Sequence, residues 1–221
     1  PEETRRVLET IRTHPEGLFL AILYYLGVRR GEALGLKWGD FDFAADQVHI
    51  LRDIDFTGST SSEGTLKTAA ADRFIPVPAA LREMLLPKRE SADAYVFHTP
   101  SGAPLPQASY KRMWSRLMVA CGCVTWREIK PGTSRPDDIL KQVKPTLTPH
   151  YFRHNYVTLL YESGVDPLIA MKIVGHTDYQ TTANIYTHLK EETLRRASVN
   201  MEKVFADREK GEGGGVMERG R

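Results

Sequence analysis

The stretch GHTDYQTTANIYTH, Gly175 to His188, sets two histidines, His176 and His188, and a tyrosine, Tyr186, around a threonine pair. Upstream, TPHYFRHNYVT carries His150, Arg153 and His154 at spacings of three and four. On a helix these three share one face near the first turn, where unpaired amide donors already favour an anion. A further arginine pair, Arg29 and Arg30, interrupts the apolar sequence after Gly27. Together these side-chain types suit phosphate chemistry. A phenol with an ordinary pKa of about 10 is ionised at neutral pH in roughly one molecule per thousand, so a tyrosine nucleophile needs a neighbour to accept its proton. Histidines can supply that help. Two guanidiniums offer permanently charged, paired donors to the oxygens of a phosphate as charge grows on them. Each residue taken singly has a plainer reading: Tyr186 packed inward beside Ile185, Arg153 paired to a carboxylate, the histidines on a helix surface.

The surrounding pattern supplies elements to carry them. PEETRRVLETIRTH opens with an acidic first turn and spaces Val7, Leu8 and Ile11 as one helical face. A more apolar helix is expected from about Glu16 to Leu26, and RRGEALGLKW resumes helical character after Gly27. QVHILRDI and RFIPVP alternate as strands, with a Gly, Ser and Thr rich stretch from Thr57 to Thr65 between them. TLKTAAAD could add a middle strand and would set Lys67 near a turn. Helices return at about Ala79 to Leu86 and Gln107 to Ala120, whereas Cys121 to Leu147, with its prolines, reads as a long loop or insertion. Thr148 and Pro149 start a helix that stops at Gly164; Asp166 and Pro167 start another that stops at Gly175. Further helices are expected around Thr181 to His188 and Glu191 to Phe205. The fold class is therefore α+β, mainly α-helical with a small antiparallel β-sheet. Tyr24, Tyr25, Tyr151, Tyr156 and Tyr161 read as core, and Trp38, Trp114 and Trp126 as structural.

Composition narrows the functions available. At 221 residues, with 41% hydrophobic and 26% charged residues, the chain can bury a substantial core. Two cysteines separated by one residue make neither a disulfide framework nor a four-ligand zinc site, and favour a cytoplasmic setting. The longest apolar run, LFLAILYYLGV, is the length of a buried helix rather than a membrane span. The overall charge of +2 says little about partners, but Lys111 to Arg153 carries nine basic residues against three acidic ones, enough to attract a polyanion or to form a solvated surface. No glycine-rich nucleotide loop and no internal repeat is evident. A start at proline within a helix points to a piece of a longer protein, and the tail GEGGGVMERGR lacks apolar periodicity.

Four motifs in one order, GVRRGEALGLKW, GTLKTAAADRFIPVP, TPHYFRHNYVT and VGHTDYQTTANIYTH, span residues 1 to about 190 and resemble the tyrosine recombinase, or phage integrase, family. The last motif is most similar to those of integrases of phages and conjugative transposons. The resemblance implies a tyrosine recombinase catalytic domain over residues 1–206 and upstream DNA-binding domains outside this stretch, while composition predicts a disordered tail at 207–221. It identifies Arg29 with the first catalytic arginine, two residues after Gly27 and three before Glu32, a choice that charge alone leaves open between Arg29 and Arg30. Glu32 matches the helical acid that holds this turn. Lys67 matches the lysine of the β-hairpin, His150 and Arg153 the His-x-x-Arg pair, His176 the next histidine and Tyr186 the nucleophile. Lys37 and Lys130 lie outside the matching motif. His154 and His188 are expected to pack or to support rather than to react. Leu26 stands where many relatives have threonine, and the Cys121 to Leu147 segment is longer than the family often needs.

The activity so implied is cutting and rejoining of DNA by a site-specific recombinase through a 3′-phosphotyrosyl link, for integration or excision of a mobile element. Arg29 and Arg153 would clamp the phosphate, and Lys67 would protonate the departing 5′ oxygen. Bond energy is kept in the link, so neither metal nor other cofactor is called for. The implied partners are double-stranded DNA bearing attachment sites, a homotetramer on that DNA, and accessory DNA-bending or directionality factors, with no membrane. Leu194, Ala197, Met201 and Val204 are spaced as one helical face, suited to docking on a neighbouring protomer or on the same domain. Two other readings share some of these residues: relaxation of supercoils by a type IB topoisomerase, and a noncatalytic DNA-binding module.

Overall fold

The computed structural model describes residues 2–57, 60–64, 72–126, 140, 142–175, 184, 186 and 187. Helix α1 (Glu2–Thr13) turns Val7 and Ile11 inward and packs on α2 (Gly17–Leu26), whose sequence GLFLAILYYL is apolar nearly all round because it is the centre of the core. Phe19, fully buried, takes Phe97, Tyr110 and Trp114 edge-on at centroid distances of 5.2, 5.8 and 6.3 Å. Gly27 ends α2 in the left-handed conformation (φ 60°), and a side chain there would start 2.2 Å from the Tyr156 ring. Both its backbone and its closeness to Tyr156 require glycine. The chain then enters the short helix α3 (Arg30–Gly35).

Among the described residues, the antiparallel pairing expected is divided over three small sheets. β1 (Phe41–Asp42), β2 (Gln47–Ile50) and β5 (Arg73–Pro76) form one, in the order β1-β2-β5, with Val48 opposite Ile75 and Ile50 opposite Arg73. β3 (Asp53–Thr57) pairs with β4 (Thr60–Gly64) as a separate hairpin packed on α3. QVHILRDI is thus split between two sheets, and within the Ser/Thr-rich stretch Thr60–Gly64 is itself a strand, because five backbone pairings from Asp53↔Gly64 to Thr57↔Thr60 hold it regardless of side-chain polarity. The strand expected at TLKTAAAD lies outside the described residues, apart from Asp72.

Helices α4 (Ala79–Leu85) and α5 (Gln107–Ala120) fall where expected. The segment after Cys121 is a correction: β6 (Val124–Trp126) pairs with β7 (Val143–Pro145), and β7 lies against α5, so the ends of this stretch are ordered strands. Trp126, expected to be structural, is about half exposed there. Helix α6 (Pro149–Glu162) packs on α2, and α7 (Pro167–Val174) packs on both α6 and β5. Asp166 caps α7 through the Leu168 and Ile169 amides, whereas Thr148 holds the cap position of α6 without a side-chain bond. Gly175 closes α7 at φ 73°. Tyr156 is buried and Tyr24, Tyr25 and Tyr161 are half-buried, but Tyr151 is 49% exposed because α6 turns Phe152 and Arg153 to the core in its place. Among the described residues beyond Gly175, Asn184, Tyr186 and Thr187 are helical; the helix expected at 191–205 lies outside them.

Candidate active site

The first turn of α6 and the turn between α2 and α3 meet in a cleft lined by Arg29, Arg30, Tyr110, Thr148, Pro149, His150 and Arg153. Three of the six residues expected to do chemistry, Arg29, His150 and Arg153, are therefore brought together from positions more than a hundred residues apart. The helical face containing His150, Arg153 and His154 is divided: the histidines are exposed, while Arg153 is 2% exposed. Arg153 is bonded to backbone carbonyls rather than to a carboxylate. Its Nη1 donates to Gly27 O at 3.0 Å and its Nη2 to Val174 O at 2.6 Å. Burial, then the nearby Arg29 and Arg73 charges, push Arg153 down to about 9, which leaves it charged at neutral pH.

Arg29 and Arg30 now separate. Arg29 lies 2.8 Å from Glu32, donating from Nη1 to Oε1, while its backbone amide donates to Oε2 at 2.8 Å. Its Nη2 donates to Gly175 O at 3.2 Å. Arg30 instead sits over the Phe56 and Tyr110 rings, 4.9 and 5.4 Å from their centroids. Glu32, expected to hold this turn, does so from a position that is 1% exposed. Burial alone would raise its pKa, but hydrogen bonds and charge from Arg73, then from Arg29, outweigh burial and hold it down at about 2.

Arg73 was not singled out by its sequence context. It lies on β5 facing the core with Ile75, while Phe74 points out, and it is 7% exposed. Its Nη1 and Nη2 donate to the two Glu32 oxygens at 3.1 and 2.8 Å, and its Nε donates to Ile173 O at 2.8 Å. An arginine at an inward position of an alternating strand was the available signal. The end of α7 thus presents three successive carbonyls, Ile173, Val174 and Gly175, to Arg73, Arg153 and Arg29. These are carbonyls that a helix C-terminus leaves without intrahelical partners, at its negative end.

Tyr186 lies in a second cluster, with Tyr156, Val157, Ala170 and Val174. Its hydroxyl donates to Val165 O at 3.1 Å, and Tyr161 meets its ring edge-on at 5.1 Å. Burial, and secondarily the Asp166 charge, raise its pKa. The inward packing expected of Tyr186 is present, but its hydroxyl is turned to α7's approach loop rather than to the cleft residues named above. Lys67, His176, Ile185 and His188 lie outside the described residues. Among the described residues no group of His, Cys, Asp and Glu could hold a metal, and no helix is long and apolar enough to cross a membrane.

Comparison with known proteins gives a consistent neighbourhood. The profile of the phage integrase family matches residues 1–193. A tyrosine recombinase XerC-like protein of Caldanaerobacter subterraneus is 24% identical over 92% of this chain and 53% of its own length. Tyrosine recombinase XerC of Xanthomonas axonopodis is 28% identical over 88% of this chain and 55% of its own, and XerA of Thermococcus onnurineus 28% over 89% and 59%. The chain therefore spans somewhat over half the length of these curated relatives. Among solved structures, the Tn1549 transposon integrase in complex with circular intermediate DNA superposes with a TM-score of 0.62 at 22% identity, covering 88% of this chain and 66% of that one. The XerA recombinase superposes at 0.58 and 21%, covering 90% and 62%. These likenesses establish the α+β fold.

Proposed function

The chain belongs to the phage integrase family, and from that premise we propose that it is the catalytic part of a site-specific DNA recombinase that cuts and rejoins strands through a 3′-phosphotyrosyl intermediate. The observation that carries the reading is the convergence of Arg29, His150 and Arg153 on one cleft. In the reaction, a scissile phosphate enters the cleft and its nonbridging oxygens take donors from Arg29 and Arg153. The Tyr186 hydroxyl leaves Val165 O, loses its proton to a histidine, His150 or His176, and attacks phosphorus. The bond from phosphorus to the 5′ oxygen breaks, and that oxygen takes a proton from Lys67. The products are a 3′-phosphotyrosyl link and a free 5′ hydroxyl; a hydroxyl from another strand reverses the step on a new partner. Each clamp donor aimed at the developing charge contributes roughly 10²–10³ in rate.

Exchange between two duplexes requires four cleavages, so the proposed working assembly is a homotetramer on double-stranded attachment sites, aided by accessory DNA-bending or directionality factors. Integration or excision of a mobile element is the proposed role, with residues 1–206 as the catalytic domain. The test is incubation with a nicked suicide duplex carrying candidate attachment sequence, comparing the parent with Tyr186→Phe on a denaturing gel. A covalent adduct in the parent alone is expected. An adduct in both would overturn the assignment of Tyr186, and vigorous relaxation of plasmids of any sequence would turn the reading toward a topoisomerase.

A further inference from the structure

We propose that Arg73 is a positioning residue for the proposed strand cleavage, setting the Arg29 half of the phosphate clamp through Glu32 and fixing the end of α7 that leads into His176. The inference rests on the proposed clamp and adds to it a residue that does not reach the cleft lining.

The geometry is specific. Arg73 and Arg29 share both oxygens of a single carboxylate: Oε1 accepts from Arg73 Nη1 at 3.1 Å and Arg29 Nη1 at 2.8 Å, while Oε2 accepts from Arg73 Nη2 and the Arg29 amide, each at 2.8 Å. A carboxylate held by one fork has a defined plane, and that plane fixes where the second guanidinium lies. Without Arg73, Glu32 would be free to rotate toward Arg29 alone, closing around the donor that the clamp needs. The same guanidinium donates from Nε to Ile173 O, next to the carbonyls of Val174 and Gly175 that hold Arg153 and Arg29. One buried side chain on β5 therefore ties both clamp arginines and the α7 terminus into a common frame.

Charge supports the same role. Two guanidiniums, those of Arg29 and Arg73, bond to the one carboxylate, and the charged Arg153 lies nearby on the Gly27 and Val174 carbonyls, which leaves a net positive group even though Glu32 is ionised. A lysine at position 73 would keep the charge, but its point donor cannot make the two parallel bonds and the third to Ile173 O together. A merely packing arginine would not need all three.

The test uses the nicked suicide duplex in two forms, with an ordinary scissile phosphate and with a methylphosphonate there, whose missing negative oxygen lessens the need for the clamp. Arg73→Met, Arg73→Lys and Arg29→Ala are compared with the parent for single-turnover adduct formation. Misplacing a clamp group by about 1 Å costs on the order of 10²-fold, so Arg73→Met is expected to be slowed by about 10²-fold on phosphate and Arg73→Lys by about tenfold. The deficit should shrink to a few-fold on methylphosphonate, in parallel with Arg29→Ala. Equal slowing on both substrates, or no slowing on either, would overturn the role of Arg73. If Arg73→Met does not fold, the ratio between the two substrates for Arg73→Lys decides in the same way. An Arg29→Ala variant as fast as the parent would instead overturn the clamp reading itself; Arg29→Ala rescued beside an unrescued Arg73 variant sinks only the present proposal.

Discussion

Tyr156 stands between two regions that are held by different physics. On one side its ring closes over Gly27, whose carbonyl accepts from Arg153, and beyond that lies the web of Arg29, Glu32, Arg73 and Arg153. On the other side it belongs to the small cluster that contains Tyr186. At the centre of the web the Glu32–Arg73 pair is buried and ionic, with Arg29 at its exposed edge, so removing Glu32 or Arg73 leaves uncompensated charge and costs about 3–5 kcal/mol. Among the described residues, Tyr186 is held by one neutral hydrogen bond and an edge-on ring, each worth on the order of 1 kcal/mol, together with its apolar burial. The groups expected to hold a phosphate are thus fixed in advance, while the group expected to attack it is held by contacts weak enough to exchange for a substrate.

The sharpest way to break that contrast is Glu32→Gln beside Tyr186→Phe. Glu32→Gln leaves two guanidiniums facing a neutral amide, and stability should fall by about 3–5 kcal/mol, a drop of roughly 6–20 °C in Tm for a chain of this size. Tyr186→Phe should cost about 1 kcal/mol, since it removes one hydrogen bond and keeps the ring. Denaturant titrations and thermal scans of both variants check this. A Glu32→Gln protein as stable as the parent would show that the web contributes little beyond its packing.

A somewhat smaller effect comes from pH. Glu32 is held at about 2 against an ordinary value of 4.5. A depressed carboxyl contributes stability that is complete above its unfolded value and is lost as pH falls through its folded value. The contribution should therefore be present at pH 5 and above and decline between about pH 4.5 and 2, by on the order of 3 kcal/mol. Urea titrations at a series of acid pH values should show this slope in the parent and a shallower one in Glu32→Gln. Parallel slopes would assign acid sensitivity to other carboxylates.

The same contrast explains what the sequence made legible. Helices α6 and α7 could be bounded closely because Pro149, Pro167, Gly164 and Gly175 mark their ends by backbone chemistry alone. Arg29, His150 and Arg153 could be singled out through the motifs that resemble the family, since the residues alone leave Arg29 and Arg30 equivalent. Arg73 could not be, since its significance is a tertiary one: it depends on β5 lying against α7, which no local pattern encodes. β4 was missed for a related reason, because TSSEG is polar and its strand character comes from pairing with β3. β6 and β7 are short and separated by the 127–142 stretch, so their pairing also had no local signature. Residue type predicts a core Tyr151 and a structural Trp126, but α6 and β6 leave both about half exposed.

The smallest expected effect tests the tyrosine side directly. Tyr161 touches the Tyr186 ring edge-on and lines no part of the cleft. Tyr161→Leu keeps an apolar side chain on α6 and removes the aromatic contact, weakening the docking of Tyr186 by about 1 kcal/mol. If release of Tyr186 from Val165 O precedes attack, the released population rises by about fivefold, because 1.4 kcal/mol corresponds to a factor of ten. Single-turnover adduct formation should then accelerate by up to that factor while Tm changes by only a few degrees. Release also lowers the cost of ionising the phenol, since burial and the Asp166 charge are what raise its pKa; the rate gain should therefore be accompanied by a shift of the rising limb of the pH profile toward lower pH. A rate identical to the parent's would mean that Tyr186 leaves its cluster freely before chemistry, and that the weaker half of the molecule imposes no barrier of its own.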